Sequence, residues 1–207
     1  KLDWVSINPE YLMSIYDRMV TESGAKVLFF SRLAAVEMSS DDTIDAIIVS
    51  NKAGLVAFKG KVYIDATGDG DLAAWSGASF KRGYDEEGSV QMSSLCFSFA
   101  NIDSYDYING PTLYVWKDES TPLYKAVRSG KYPLVDTHFC NNLVGPDVIQ
   151  CNAGHMTVDT TDPWAISEAM ILGRQKAVQY LKAMKDVRPS TFSNAFVVKT
   201  ASLLGVR

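Results

Sequence analysis

The chain has 207 residues, of which 47% are hydrophobic and 21% are charged, and these proportions are ordinary for a globular protein with a substantial core. The formal net charge of −4 and the scattered lysines and arginines argue against a nucleic-acid partner. No apolar stretch reaches the roughly 20 residues that span a bilayer. We therefore expect a soluble protein with no membrane partner, and a cytoplasmic location is favoured.

The three cysteines, Cys96, Cys140 and Cys151, lie far apart and show no C-x-x-C spacing. Buried thiols are the expected form of such cysteines. The sequence has only two histidines, so we predict no metal site.

The first predicted element is a helix that begins at Asn8-Pro9-Glu10, with an N-cap, a proline at the first helical position and an acid in the first turn. Gly24 is its expected end. One apolar face has helical spacing, and its residues are Leu12, Ile15, Tyr16, Met19 and Val20. The continuously apolar run 27–30 then predicts a strand that is buried on both faces of a mostly parallel sheet.

Three short apolar segments follow, 33–38, 44–50 and 55–58, and turn residues separate them, which predicts a β-meander. Val62-Tyr63-Ile64 predicts a strand that returns to the sheet. It leads into a glycine- and aspartate-rich turn, 65–71, and a short helix that ends at Gly77.

The second half predicts mixed α and β elements. Residues 94–99 alternate as a half-buried strand, and Thr121-Pro122 begins a short helix that stops at Gly130. Short strands and turns fill 132–156. Asp162-Pro163 begins a long helix that Pro189 ends, and 196–198 forms a last strand. The expected inner face of the long helix is Ile166, Ala169, Met170, Gly173, Ala177, Leu181 and Met184.

Residues 68–73 match the dinucleotide-binding pattern G-x-G-x-x-A. We do not interpret them as that fingerprint, because Gly77 stops the helix within two turns and 81–84 is not the buried strand that should follow. Asp69 and Asp71 would also stand beside a pyrophosphate, which costs energy unless they cap amides or meet a ribose hydroxyl.

The order of helix, strand, meander and returning strand before DATGDGDLAAWSGASFKRG and QMSSL resembles the FAD-dependent oxidoreductases with the glutathione-reductase-like fold. The SEA segment at 167–169, Gly173-Arg174 and the LGVR segment at 204–207 are also similar to that family. The resemblance implies a mixed α/β (α+β) fold: a partial FAD-binding domain with the β-meander, residues 1–80, joined to a substrate-type α+β domain, residues 81–207.

The resemblance implies that Ala66, Thr67 and Gly68 lie against FAD near its pyrophosphate and ADP portion, with Asp69 and Gly70 as neighbours. Gly68 would let the backbone approach, and Thr67 would offer a hydroxyl. The family's N-terminal G-x-G-x-x-G segment and C-terminal Gly-Asp segment have no counterpart in the sequence. We therefore expect an interior fragment that binds FAD weakly or not at all, is inactive alone, and self-associates through surface that its missing segments would cover.

His155 and Arg207 are the candidate catalytic residues. A histidine near the flavin can orient substrate or move protons, and an arginine can bind a substrate carboxylate. The alternatives are a structural histidine and a solvated arginine, and for His138 a structural role is favoured. The aromatic residues at 105–116 would line a ligand cleft or, as we favour, belong to the core or a lost interface. The acidic run 85–87 predicts a solvated turn.

The leading hypothesis is a fragment of an FAD-dependent oxidoreductase whose parent transfers a hydride between a small organic substrate and flavin. The alternative is a stand-alone, non-enzymatic α/β domain that binds a ligand or a protein partner.

Overall fold

The computed structural model describes residues 6–84, 88–111, 113 and 119–206. The chain divides into two compact units, Met13–Val90 and, as the other, Lys1–Leu12 with Gln91–Arg207. The functional division expected after residue 80 stays a prediction. No helix in the described part of the chain is both long and apolar enough to cross a membrane.

Helix α1 (Pro9–Glu22) begins and ends where the sequence predicts. The Asn8 side chain accepts the N–H of Glu10 at 3.0 Å, and Gly24 follows the helix with φ at +80°. The helix has no buried residue, and Tyr16 and Met19 are 58% and 60% exposed. The predicted apolar face therefore exists, but the described residues leave most of it open to solvent.

The predicted meander is confirmed as β1 (Arg32–Ser40), β2 (Thr43–Asn51) and β3 (Gly54–Phe58), which pair antiparallel in that order. The β2–β3 turn is tight because the Asn51 side chain accepts the N–H of Ala53 at 2.9 Å. Ala46 and Val49 on the central strand are buried.

The two predicted strands at 27–30 and 62–64 are wrong for the described chain, since neither run is a strand. Phe30 has φ at +52°, which is incompatible with an extended strand, and its side chain is 99% exposed. Val62 and Ile64 are also exposed. A strand needs a neighbouring backbone to pair with, and no described strand pairs with either run.

The other unit is built on a four-stranded antiparallel sheet in the order β5-β6-β4-β7. Its strands are β4 (Phe97–Ala100), β5 (Phe139–Gly145), β6 (Val148–Ala153) and β7 (Phe196–Thr200). The alternation predicted for 94–99 is confirmed over 95–99, where Leu95, Phe97 and Phe99 are at most 2% exposed and Cys96 and Ser98 are half-buried. Ser94 departs from it, because it is buried as well, at 5% exposed.

Within the described residues, the helices that follow the start of this sheet are α3 (Ser104–Asn109), α4 (Pro122–Arg128), α5 (Pro163–Val187) and α6 (Pro189–Phe192). Helix α2 (Asp71–Trp75) belongs to the other unit. The predicted caps are confirmed: Thr121 accepts the N–H of Tyr124, and Asp162 accepts the N–H of Trp164. Pro189 follows the end of α5, as predicted.

Helix α5 supplies one side of the core. Phe97, Phe99 and Phe139 from the sheet cluster with Tyr180 and Met184 from the helix, and all five are essentially inaccessible to solvent. The Tyr180 ring stacks on Phe139 at 5.6 Å between centroids and meets Phe97 at 5.5 Å. This packing fixes the middle of α5 against the β5–β6 hairpin.

Candidate functional site

The glycine-rich turn at 65–71 is organised by one carboxylate. Asp65 accepts the N–H of Thr67 at 3.0 Å, the Thr67 hydroxyl at 2.6 Å and, through its other oxygen, the N–H of Ala73 at 3.2 Å. The Thr67 hydroxyl and backbone, with Ala73, hold the pKa of Asp65 below its usual range. The carboxylate therefore ties the end of the 62–64 run to the first turn of α2.

This turn leaves several backbone donors without an acceptor among the described residues, and two of them flank its glycine-rich centre. Thr67 Oγ1 accepts the N–H of Gly70 at 3.0 Å, whereas the N–H groups of Gly68 and Asp69 meet no acceptor within the described ranges. A Cβ on Gly68 would meet no atom within 4 Å. The Thr67 hydroxyl already donates its hydrogen to Asp65, so it can offer a ligand only an acceptor oxygen.

His155 lies just beyond β6, after Gly154, which has φ at +75°. Its N–H donates to Asp136 Oδ2 at 2.8 Å, and its Nδ1 lies 3.4 Å from the same oxygen. The side chain is 20% exposed. The side chain is thus held by Asp136 and stays partly accessible to solvent.

Asp136 is the centre of this cluster. Its Oδ1 accepts the His138 N–H at 2.9 Å and the Tyr180 hydroxyl at 2.7 Å. The Tyr180 oxygen in turn accepts the N–H groups of Asp136 and Gly154 at 3.2 and 3.3 Å. Burial and the Asp136 charge raise the pKa of Tyr180 far above its ordinary value, so the hydroxyl remains a donor.

Two further titratable groups surround His155. The His138 ring lies 4.4 Å from the His155 ring between centroids, and burial, followed by the neighbouring His155, lowers the pKa of His138. Lys176 on α5 is only 9% exposed and donates to the Leu134 carbonyl at 3.0 Å. Burial lowers the pKa of Lys176, although the Asp136 charge acts in the opposite direction.

The outer face of the β4–β6–β5 sheet bounds a small cavity of about 230 Å³. Its lining is free of charge and includes Cys96, Cys140, Asn142, Gln150 and Asn152. Burial raises the pKa of the Cys140 thiol, and it raises that of Cys151 more strongly, so both stay protonated.

The expectation of buried thiols is confirmed fully for Cys151, whereas Cys96 and Cys140 are half-buried. Within the part of the chain that the structure describes, no group of His, Cys, Asp and Glu side chains is suited to a metal ion.

Several predicted residues lie outside the described residues: Arg207, the acidic run 85–87, Tyr114 and Trp116. Of the remaining aromatic candidates, Tyr105 is 79% exposed, and the Tyr107 hydroxyl donates to Asn141 at 2.7 Å. The cofactor candidates Ala66 to Gly70 belong to the unit Met13–Val90, and His155 belongs to the other unit.

Sequence reasoning identified His155 but missed Asp136, Tyr180 and Lys176. The spacing along α5 could have indicated Lys176 and Tyr180, because both fall on its apolar inner face. The other residues of that face include Ala169, Gly173 and Ala177. A lysine on an otherwise apolar inner face indicates a buried polar cluster.

The model of the family described as FAD dependent oxidoreductase matches residues 1–207. The chain therefore belongs to the FAD-dependent oxidoreductase family, whose cofactor is FAD. Comparisons with curated proteins and with solved structures give no match.

Proposed function

We propose that this chain forms part of the FAD site and part of the substrate site of an oxidoreductase that transfers a hydride between a small organic molecule and flavin. The observation that carries the proposal is the 65–71 turn in a member of an FAD-dependent family. Side chains of the turn accept the N–H groups of Thr67, Gly70 and Ala73, whereas the N–H groups of Gly68 and Asp69 meet no acceptor among the described residues. Open amides beside glycine suit a phosphate oxygen.

Ala66, Thr67 and Gly68 contact FAD near its pyrophosphate and ADP portion, with Asp69 and Gly70 beside them. When bound, FAD supplies the hydride acceptor or donor. The Asp69 carboxylate opposes a nearby pyrophosphate by charge repulsion. The backbone of this turn therefore suits the FAD pyrophosphate, whereas the side chain of Asp69 does not.

On the substrate side, His155 contacts the organic molecule and accepts or donates a proton, and Arg207 binds a carboxylate of the substrate. His155 suits this role because one side of its ring faces Asp136 while a fifth of its side chain remains exposed. An imidazole side chain can both accept and donate a proton.

The chain by itself binds FAD weakly and is inactive. Two features support this part of the proposal: the sequence contains no G-x-G-x-x-G that opens a long helix, and the apolar runs 27–30 and 62–64 have no partner strand among the described residues. Both runs would pair in a sheet with further strands of a longer protein.

The same exposed runs favour self-association of the isolated chain, since an apolar surface that no chain covers drives assembly. Light scattering over a tenfold range of concentration should show a mass that rises above that of one chain. A constant monomer mass would contradict this expectation.

The cofactor contact is tested by amide NMR shifts during titration with FAD, ADP and riboflavin up to millimolar concentration. We expect FAD and ADP to shift the Gly68 and Asp69 amides and riboflavin to leave them unchanged. Shifts confined to other residues, or no shifts at all, would remove these five residues from the FAD site.

A charge variant sharpens this experiment. Asp69→Asn removes the repulsive carboxylate and should tighten FAD binding about two- to fivefold, as expected for roughly 0.5–1 kcal/mol from an exposed charge. Asp17→Asn, on the exposed surface of α1, removes the same charge elsewhere in the unit and should have no effect. Equal effects of the two variants would indicate a general charge effect rather than a site.

The alternative function is a stand-alone domain that binds a ligand or protein without catalysis. It is favoured only by the uncharged cavity on the outer sheet face. The reading frame discriminates between the two: a G-x-G-x-x-G segment upstream of Lys1 supports the oxidoreductase, and a start codon immediately before Lys1 supports the stand-alone domain.

A further inference from the structure

One carboxylate oxygen, Asp136 Oδ2, contacts His155 at two points. It accepts the backbone N–H at 2.8 Å and lies 3.4 Å from the ring Nδ1. The backbone bond fixes the carboxylate beside His155, and the contact with Nδ1 then favours the ring orientation that faces it. The ring orientation is therefore tied to the backbone of the segment that follows β6.

The other carboxylate oxygen is already occupied. Asp136 Oδ1 accepts the His138 N–H and the Tyr180 hydroxyl, and Tyr180 is fixed by its packing on Phe139. The carboxylate cannot rotate without losing these bonds. Lys176, the nearby cation, donates to the Leu134 carbonyl, and no hydrogen bond or ion pair joins it to Asp136 among the described residues.

A carboxylate accepts hydrogen bonds and cannot donate them, so a neutral imidazole facing it places its hydrogen on Nδ1. The other ring nitrogen, Nε2, then has a free lone pair. Free imidazole side chains in water favour the opposite form, with the hydrogen on Nε2. The contact with Asp136 thus selects the less common tautomer.

We propose that Asp136 is a positioning residue, which holds His155 in the Nδ1–H tautomer and so makes Nε2 the atom that receives a proton from the substrate. The inference rests on the proposed role of His155. It assigns no contact with substrate to Asp136 itself.

The test is the ring-nitrogen NMR spectrum of His155 in the whole chain, at a pH where the imidazole is neutral. His155→Gln identifies the signals by their loss. We expect a roughly tenfold or greater excess of the Nδ1–H tautomer in the unaltered protein. A predominant Nε2–H tautomer would overturn the proposal without any variant of Asp136.

Asp136→Ala provides the second measurement. It removes the carboxylate oxygen that faces Nδ1 and puts no donor in its place. We expect the tautomer ratio to fall toward that of a free imidazole, in which Nε2–H is favoured, and a folded variant that keeps the Nδ1–H excess would contradict the assignment.

Tyr107→Phe is the matched control. It removes a half-buried hydroxyl that donates to Asn141 and has no bond to Asp136, so the Nδ1–H tautomer should persist even as stability falls. Loss of that tautomer in this variant would mean that packing, rather than Asp136, selects it.

These measurements require neither substrate nor flavin. A failed tautomer test would therefore leave the role of His155 open. Conversely, a flavin-loaded parent protein whose His155→Gln variant reduces flavin at the unaltered rate would remove that role and leave the tautomer result intact.

Discussion

The hydroxyl of Tyr180 is the best single test of how the His155 cluster is held together. Tyr180→Phe removes this one atom and keeps the ring that packs against Phe97 and Phe139. The hydroxyl donates to the Asp136 carboxylate at 2.7 Å, and its oxygen accepts two backbone N–H groups, from Asp136 and Gly154. The substitution therefore affects hydrogen bonds and leaves the hydrophobic contacts intact.

The expected loss of stability is about 2–3 kcal/mol. A hydrogen bond to an ionised acceptor contributes roughly 1.5–3 kcal/mol, and each long bond from a backbone N–H adds a smaller amount. The raised pKa of Tyr180 keeps its hydroxyl protonated, so the loss should be similar from pH 6 to pH 8. Urea unfolding followed by circular dichroism should show a midpoint lower by about 1 M, at a slope of ~2–3 kcal/mol/M.

Two further tyrosines calibrate this result. Tyr107→Phe removes one hydrogen bond, to Asn141 at 2.7 Å, and should cost about 1 kcal/mol. Tyr105 is 79% exposed, and its substitution by Phe should be neutral within about 0.5 kcal/mol. If Tyr180→Phe costs no more than Tyr107→Phe, the hydroxyl does not organise the cluster as described.

Gly173→Ala should destabilise the protein by about 1–2 kcal/mol in the same assay, because the added Cβ would lie 2.6 Å from Leu95 Cβ. This overpacking outweighs the ~1 kcal/mol gain in helix propensity. A stabilised variant would contradict the prediction. Bonds from Thr191, Ser190 and Arg188 lower the pKa of Asp106. Its stabilising contribution is thus complete above the unfolded-state pKa and is lost as pH falls through the lower, folded-state pKa. Asp106→Asn should accordingly lose less stability between pH 7 and pH 3 than the unaltered protein, and an equal loss would refute this.

The elements with local signals were predictable from the sequence. The helix caps at Thr121 and Asp162 and the turns of the meander depend on a few neighbouring residues each. The structure confirms both. The runs 27–30 and 62–64 were not predictable in this way. An apolar run shows a preference for burial, whereas a strand also requires a pairing backbone, which lies elsewhere in the sequence.

The candidate site shows the same division. His155 follows a glycine in a polar segment, and this local feature was enough to select it. Its partner Asp136 lies 19 residues earlier, and Tyr180 lies 44 residues beyond Asp136 on another element. Only the packing of α5 against the β5–β6 hairpin brings these three side chains together, and no sequence spacing encodes it.

In both candidate regions, which lie in different units, one aspartate holds a loop through bonds to backbone N–H groups. Asp65 accepts backbone N–H groups from either side of a glycine-rich turn, and Asp136 accepts those of His138 and His155 from the two ends of a hairpin. In each case the carboxylate accepts backbone N–H groups of a loop, as a neighbouring strand would, and so fixes the loop backbone. Groups that a ligand could meet remain beside each carboxylate. In the turn they are the N–H groups of Gly68 and Asp69, and in the other region it is Nε2 of His155. The residues that hold each region in place are therefore distinct from the groups that would meet a ligand, and substituting an organising aspartate should disturb geometry before it disturbs chemistry.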